Sequence, residues 1–384
     1  MFHVATEKEI KAGEVTDVYF LRTLEILKAQ GINKRVVAEL CTKGFPEGCE
    51  WGVFAGLEEC IELLKGRPVN FNGLREGTVF YPYEPVIEIE GNYQDFALLE
   101  TALLGFICQA SGIATAAARC RKAAGEKPVI SFGARRMHPA ISPMIERSAF
   151  IGGCDGVAVV KSAEFIGEEP SGTMPHALIL VMGDTVKATK AFHEIISERV
   201  PRVSLIDTFH DEKFAALEVA EALGENLFAV RLDTPYSRRG NFLKIIEEVR
   251  WELNIRGFQH VKIFASGNID ATAIQHLNQI VDAYGVGTYI SNAPVIDFSM
   301  DIVEIEGDPI AKRGKLSGRK KLYRCPQCYK TRVIPKKDSD KVCECGQSMD
   351  PLTIPLITDG RVVADLPSPQ KIREYVLEQL PHCS

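Results

Sequence analysis

The chain has no net positive charge, no internal repeat, no low-complexity tract and no aromatic series on which bases could stack. With 45 Lys and Arg against 51 Asp and Glu in 384 residues, the formal charge of -6 argues against whole-surface attraction to nucleic acid or an anionic membrane. The longest uncharged run, Thr101 to Ala118, contains Gly105, Gln109, Ser111 and Gly112 and reads as a buried helix rather than a bilayer span. The opening residues, MFHVATEKEIKAGEV, lack the charged-then-apolar pattern of a secretory signal, so a cytoplasmic protein is expected. Cysteine is plentiful, but Cys41, Cys49, Cys60, Cys108, Cys120, Cys154 and Cys383 are scattered singly, which excludes a disulfide scaffold.

What is present is a globular composition, 46% hydrophobic and 25% charged, in a chain long enough for two or three domains at about 150 residues each. Residues 1–112 mix the two periodicities. Helices are expected over Asp17–Ala29 and Leu57–Leu64, strands over Val36–Leu40 and Val86–Ile89, and a turn at the PYEP segment, 82–85. Residues 113–291 alternate apolar runs with helical stretches, which predicts a parallel sheet closed or nearly closed into a β/α barrel. About seven strand candidates are found. The expected class is therefore α/β: an incomplete or irregular barrel, an α+β amino-terminal domain, and a carboxyl-terminal region, 292–384, with a small zinc-binding unit at about 322–350.

The apolar runs end in polar or glycine-bearing clusters: SFGARR (131–136), SGTMPH (171–176), LIDTF (205–209), VRLD (230–233), ASGNID (265–270) and YGVGTYI (284–290). Barrels gather catalytic groups at the carboxyl ends of their strands, so these clusters point to one pocket. Small residues in ASGNID and GVGTYI leave backbone N–H groups for a phosphate. Arg135, Arg136, Lys161, Lys187, Arg231, Arg238 and Arg239, mixed with Asp207 and Asp233, suit a polyanionic substrate carrying Mg2+. His176 is either a structural histidine beside an apolar run or a phosphoryl acceptor oriented by Asp207.

Cys325-Pro-Gln-Cys328, fourteen residues, then Cys343-Glu-Cys345 supplies four thiolates at a spacing that closes around Zn2+. All four ligands come from protein, so this metal is structural. Basic residues surround it, including Lys312, Arg313, Arg319, Lys320, Lys321, Arg324, Lys330, Arg332, Lys336 and Lys337; a solvated face is the expected reading, a nucleic-acid surface the alternative.

In their order and spacing, TDVYF with Tyr19, FGARR, SGTMPH, LIDTF, VRLD, SGNID and GVGTY resemble the nicotinate phosphoribosyltransferases of the type II phosphoribosyltransferase group. The zinc unit is similar to that of a shorter, archaeal-type branch. The resemblance implies transfer of phosphoribose from phosphoribosyl pyrophosphate to nicotinate, giving nicotinate mononucleotide and pyrophosphate, with ATP hydrolysis coupled through phosphorylated His176. It implies that Asp207 holds that ring, and that Phe132 and Tyr19 from a neighbouring subunit sandwich the pyridine. Arg135 and Arg231 would bind carboxylate or phosphate, Asp233 the ribose hydroxyls, Gly267, Gly287 and Thr288 the 5′-phosphate, with Thr173 also on the substrate. A shared site requires a homodimer or higher homo-oligomer. One departure stands out: many relatives continue the LD with Ser-Gly-Asp, whereas here Thr234, Pro235 and Tyr236 follow Asp233. Quinolinate or nicotinamide phosphoribosyltransferase is the nearest alternative, and a zinc-ribbon nucleic-acid-binding protein on an inactive barrel lies outside the class.

Overall fold

Between Val129 and Val286 every strand runs in the same direction. In the computed structural model, which describes residues 2–46 and 48–383, six strands lie side by side in the order Gly156–Val157, Val129–Ser131, Ala283–Val286, Lys262–Ala265, Ala229–Leu232, Val203–Leu205, each parallel to its neighbour. The sheet stays open between the first and last of these, so the barrel is incomplete. Apolar side chains such as Val230, Leu232, Ile263 and Val286 are fully buried along the strands, as a sheet covered by crossover helices requires. Three of the helices that follow these strands begin on a side chain that caps them. Asp211 accepts from the N–H of Lys213 before Glu212–Leu223, Asn241 from Lys244 before Phe242–Ile255, and Asp270 from Ala273 before Ala271–Leu277. This is the unit formed by residues 116–293.

One cluster is not where the sequence pattern puts it. SGTMPH does not end a strand of its own; the run before it forms the helix Val160–Ile166, and the cluster is a loop leading into the helix His176–Met182. The physical reason is Glu146, whose carboxylate accepts from the N–H of Ala158 and Val159 at 3.1 and 3.0 Å and so ends the strand at Val157. The loop still hangs from that strand end, because Ser171 N–H donates to the carbonyl of Val157 at 2.8 Å. Six strands are formed, against about seven candidates.

The other unit joins residues up to Thr115 with those from Pro294 onward, so the region after 292 shares a unit with the amino-terminal block. Its antiparallel sheet runs Asp308–Pro309, Phe298–Ile305, Arg35–Thr42, Ile87–Asn92, Asn70–Leu74, Thr353–Thr358, Arg361–Val362. Helix Leu57–Leu64 packs Leu57, Cys60, Ile61 and Leu64 into the core formed with Leu40, Phe71, Leu74 and Ile89. Helix Glu100–Ala124 is part of a stretch long and apolar enough to cross a bilayer; Leu103, Ile107, Ala110, Ile113 and Ala114 are nevertheless buried, which marks a core helix. The PYEP turn holds Tyr83 at φ 67°.

The cysteine ribbon is a three-stranded antiparallel sheet, Thr331–Pro335, Lys320–Arg324, Asp350–Pro351. Gln379 of the helix Pro369–Gln379 ties it down: its Oε1 accepts from Arg324 Nη1 at 2.6 Å and from Val79 N–H at 2.9 Å, while its Nε2 donates to the carbonyl of Gly77. Lys312 and Lys315 pair with Asp301, Arg319 with Glu88 and Glu90, Lys320 with Glu39, Lys330 with Glu344 and Arg332 with Asp340, so much of the basic stretch is neutralised locally.

Candidate active site

At the carboxyl edge of the parallel sheet, parallel register sets Phe264 beside Arg231. Arg231 is the hub. Its Nε donates to Ser266 Oγ at 2.8 Å, its Nη1 to Thr173 Oγ1 at 2.8 Å, and its guanidinium lies 4.9 Å from the centre of the Phe132 ring. Burial lowers the pKa of this guanidinium, and the carboxylates of Asp233 and Asp207 oppose that effect, so it stays a cation aimed at the strand ends. Phe132 lies over the next strand because residue 285 is glycine: a β-carbon there would come within 2.6 Å of the ring's Cδ2 and Cε2. Arg135, exposed on the short turn Ala134–Arg136, bears on the charge of Arg231.

His176 begins its helix facing two acids. Its Nε2 is 3.7 Å from Asp207 Oδ2 and 3.8 Å from Asp233 Oδ2, and its Nδ1 is 3.1 Å from the hydroxyl of Thr208. The side chain of Asp207 is 2% exposed, and neither of its oxygens makes a hydrogen bond of good geometry among the described residues. A buried carboxylate is normally hydrogen-bonded or paired, so this one is a standing acceptor for a cation or a proton. Burial first, and then the negative charge of Asp233, raise its pKa, while His176 and, after it, the backbone N–H groups of Asp207 and Asp233 pull the other way. Asp233 is fixed separately, Oδ1 accepting from Ser266 Oγ at 2.7 Å.

Gly267 stands at φ 75°, and a β-carbon on it would meet Asp233 O at 3.0 Å and Oδ1 at 3.1 Å. Gly287 starts the four-residue helix Thr288–Ser291, and its carbonyl would be 2.4 Å from a β-carbon on Gly133. The loops around Phe132 and Thr288 therefore touch backbone to backbone. Phe132, Arg135, Thr173, His176, Asp207, Arg231, Asp233, Gly267, Gly287 and Thr288 all belong to this one unit. Tyr19 belongs to the other, exposed on helix Val18–Ala29 with its hydroxyl 3.3 Å from Asp17 Oδ2. Thr208 and Ser266 were not singled out from sequence. Both lie inside quoted clusters, but a hydroxyl beside an aspartate or a glycine gives no separate signal.

The four cysteines converge. Sulfur atoms of Cys325 and Cys345, and of Cys328 and Cys343, are 3.5 Å apart, and all four lie within 4.8 Å of one another. Thiolates about 2.3 Å from a tetrahedral zinc have sulfur–sulfur edges of about 3.8 Å. The cluster can hold a metal ion such as zinc.

Residues 17–111 and 113–301 match the family profiles of the quinolinate phosphoribosyl transferase N-terminal and C-terminal domains. A Pyrococcus furiosus crystal structure described as nicotinate-nucleotide pyrophosphorylase superposes with a TM-score of 0.98, at 57% identity over 99% of this chain and 98% of its own. The chain belongs to the quinolinate and nicotinate phosphoribosyltransferase family. A Mycobacterium tuberculosis nicotinate phosphoribosyltransferase is 28% identical over 92% of this chain and 87% of its own length. Human nicotinic acid phosphoribosyltransferase shares the fold, with a TM-score of 0.76 at 20% identity over 96% of this chain and 94% of that one. This phosphoribosyltransferase thus joins an antiparallel α+β unit to a parallel half-barrel, with a four-cysteine ribbon in its carboxyl-terminal region.

Proposed function

We propose that the chain transfers phosphoribose from phosphoribosyl pyrophosphate to nicotinate, coupled to ATP hydrolysis through His176, in cytoplasmic NAD biosynthesis. One observation carries this reading: an imidazole facing two carboxylates, one of them buried, beside an arginine stacked on an aromatic ring. The ring nitrogen of nicotinate has its own lone pair, so no strong base is needed. The site has to place that nitrogen against the anomeric carbon and stabilise departing pyrophosphate. Phe132 offers a face for the pyridine, Arg231 and Arg135 cations for its carboxylate, and Asp233 an acceptor for ribose hydroxyls. The backbone around Gly267, Gly287 and Thr288 is the 5′-phosphate seat, with Thr173 holding Arg231 in place.

For the coupling, the negative charge of Asp207 and Asp233 favours the imidazole proton on Nε2. That leaves the Nδ1 lone pair, which meets the Thr208 hydroxyl, to attack the terminal phosphorus of ATP. The N–P bond forms as the bond to the ADP oxygen breaks, and Asp207 stabilises the proton left on Nε2. Asp233, the more exposed of the two carboxylates, would hold Mg2+, which would supply charge neutralisation to the pyrophosphate. Tyr19 would close over the pyridine from a second subunit, making the enzyme a homodimer or higher oligomer.

Quinolinate is the second reading, favoured by the names of the two matched family profiles. A product assay decides: phosphoribosyl pyrophosphate with nicotinate, nicotinamide or quinolinate, each with and without ATP. Nicotinate mononucleotide formation stimulated by ATP is expected. Turnover of quinolinate alone would overturn the proposal.

A further inference from the structure

Where the sequence departs from Ser-Gly-Asp, the structure puts a buried cation. Arg239 ends the short helix Tyr236–Arg239 and is 8% exposed. Its Nε donates to the carbonyl of Thr234 at 3.2 Å, its Nη2 to the carbonyl of Ser266 at 3.1 Å and to that of Gly267, and its guanidinium lies 4.0 Å from the centre of the Phe242 ring. Asp233 and Asp207 are close enough to act on its charge, but its hydrogen bonds go to the backbone. A buried charge is costly unless its surroundings compensate it. Here three peptide dipoles and an aromatic face do so, and all three carbonyls belong to the two loops that follow adjacent strands.

The consequence lies on the other side of those peptides. A trans peptide is planar, with C=O and N–H pointing in opposite directions. When the carbonyls of Ser266 and Gly267 aim at Arg239, the N–H groups of Gly267 and Asn268 aim away from it. Neither meets an acceptor among the described residues. Gly267 and Asn268 both have positive φ, 75° and 49°, a conformation that asparagine adopts at a cost and that needs outside support.

We infer that Arg239 is a positioning residue for the phosphate seat: by gripping the carbonyls of Ser266 and Gly267 it presents the N–H groups of Gly267 and Asn268 to the 5′-phosphate of the ribosyl donor. Its positive charge adds attraction for the same dianion. This rests on the phosphoribosyl reading above, but not on which pyridine is used.

The test compares wild type with Arg239→Lys, Arg239→Gln and Phe242→Leu. Lysine keeps the charge but cannot span three carbonyls, and Phe242→Leu removes the stacking face without touching the grip itself. Ribose 5-phosphate, titrated calorimetrically, probes the seat without any pyridine. For both Arg239 variants, the Kd for ribose 5-phosphate and the KM for phosphoribosyl pyrophosphate should rise at least tenfold. The nicotinate KM and kcat should stay within threefold. Phe242→Leu should show a smaller shift of the same pattern, and it decides the matter if the arginine variants do not fold. Unchanged ribose 5-phosphate binding in a folded variant, or equal losses for donor and pyridine, would overturn the inference. A wild type that binds ribose 5-phosphate but makes no nicotinate mononucleotide would count against the nicotinate reading alone.

Discussion

Replacing Gly285 by alanine tests the pyridine site through a single methyl group. The new β-carbon would lie 2.6 Å from Cδ2 and Cε2 of Phe132 and 3.1 Å from Ser266 Cβ. Carbon atoms pack best at about 3.5–4.0 Å, so the ring has to retreat by about 1 Å. It has little room, with Phe264 centred 5.9 Å away and the Arg231 guanidinium 4.9 Å from its centre. Overpacking of this kind costs about 1–3 kcal/mol. For a unit of this size each kcal/mol moves Tm by about 2–4 °C, so a fall of roughly 2–12 °C is expected in calorimetry. A misplacement of about 1 Å at a binding surface can cost up to about a hundredfold. With phosphoribosyl pyrophosphate saturating, the nicotinate KM should therefore rise about ten- to a hundredfold, and the donor KM by no more than about threefold. An alanine variant with wild-type Tm and nicotinate KM would refute the claim that Gly285 makes room for the Phe132 ring.

Three further outcomes are expected. Chelation should remove one zinc per chain by elemental analysis and lower Tm by at least about 5 °C, since structural zinc contributes directly to folding, while activity per folded molecule at 25 °C changes less than twofold. Equal and simultaneous loss of activity and metal would contradict a purely structural role. Burial, helped by Asp301 and Asp17, pushes the pKa of Glu100 up from 4.5 to about 7. The proton taken up on folding stabilises the protein fully below about 4.5, and that contribution is lost as pH rises through 7. Glu100→Gln should then melt a few degrees above wild type at pH 8 and lose that advantage at pH 5; a pH-independent difference would count against it. Thr208→Val removes the hydroxyl that contacts His176 Nδ1, worth about 1 kcal/mol for a neutral hydrogen bond, so ATP stimulation should fall about fivefold and recover in Thr208→Ser. Undiminished stimulation in the valine variant would remove Thr208 from the coupling.

Much of the site was legible because its chemistry is local. His176, Asp207, Arg231 and Asp233 stand at the ends of apolar runs or the start of a helix, and their residue types advertise charge or proton transfer. The four cysteines were legible for the same reason, since pairs on tight turns need little help to converge. Thr208 and Ser266 were not, and Arg239 read only as one of several rim cations, with nothing to show that it grips two loops. Ser266 bridges Arg231 and Asp233, thirty-odd positions earlier in the chain, only because parallel register sets Ala265 beside Leu232. The SGTMPH cluster was misplaced for a related reason: its strand is ended by Glu146, from another element.

Sequence by itself determined the alternation of apolar runs and helices, the zinc-ligand spacing and the residue types available to a polyanionic substrate. These follow from short-range periodicity and from side-chain chemistry that does not depend on neighbours. Tertiary structure decided that the half-barrel stays open, that Arg231 rests on Phe132, that Asp207 is buried facing His176, and that Arg239 grips two loops. Each of these depends on which strands lie side by side and in which register. Burial and pairing are properties of that arrangement, and no single segment of the chain contains them.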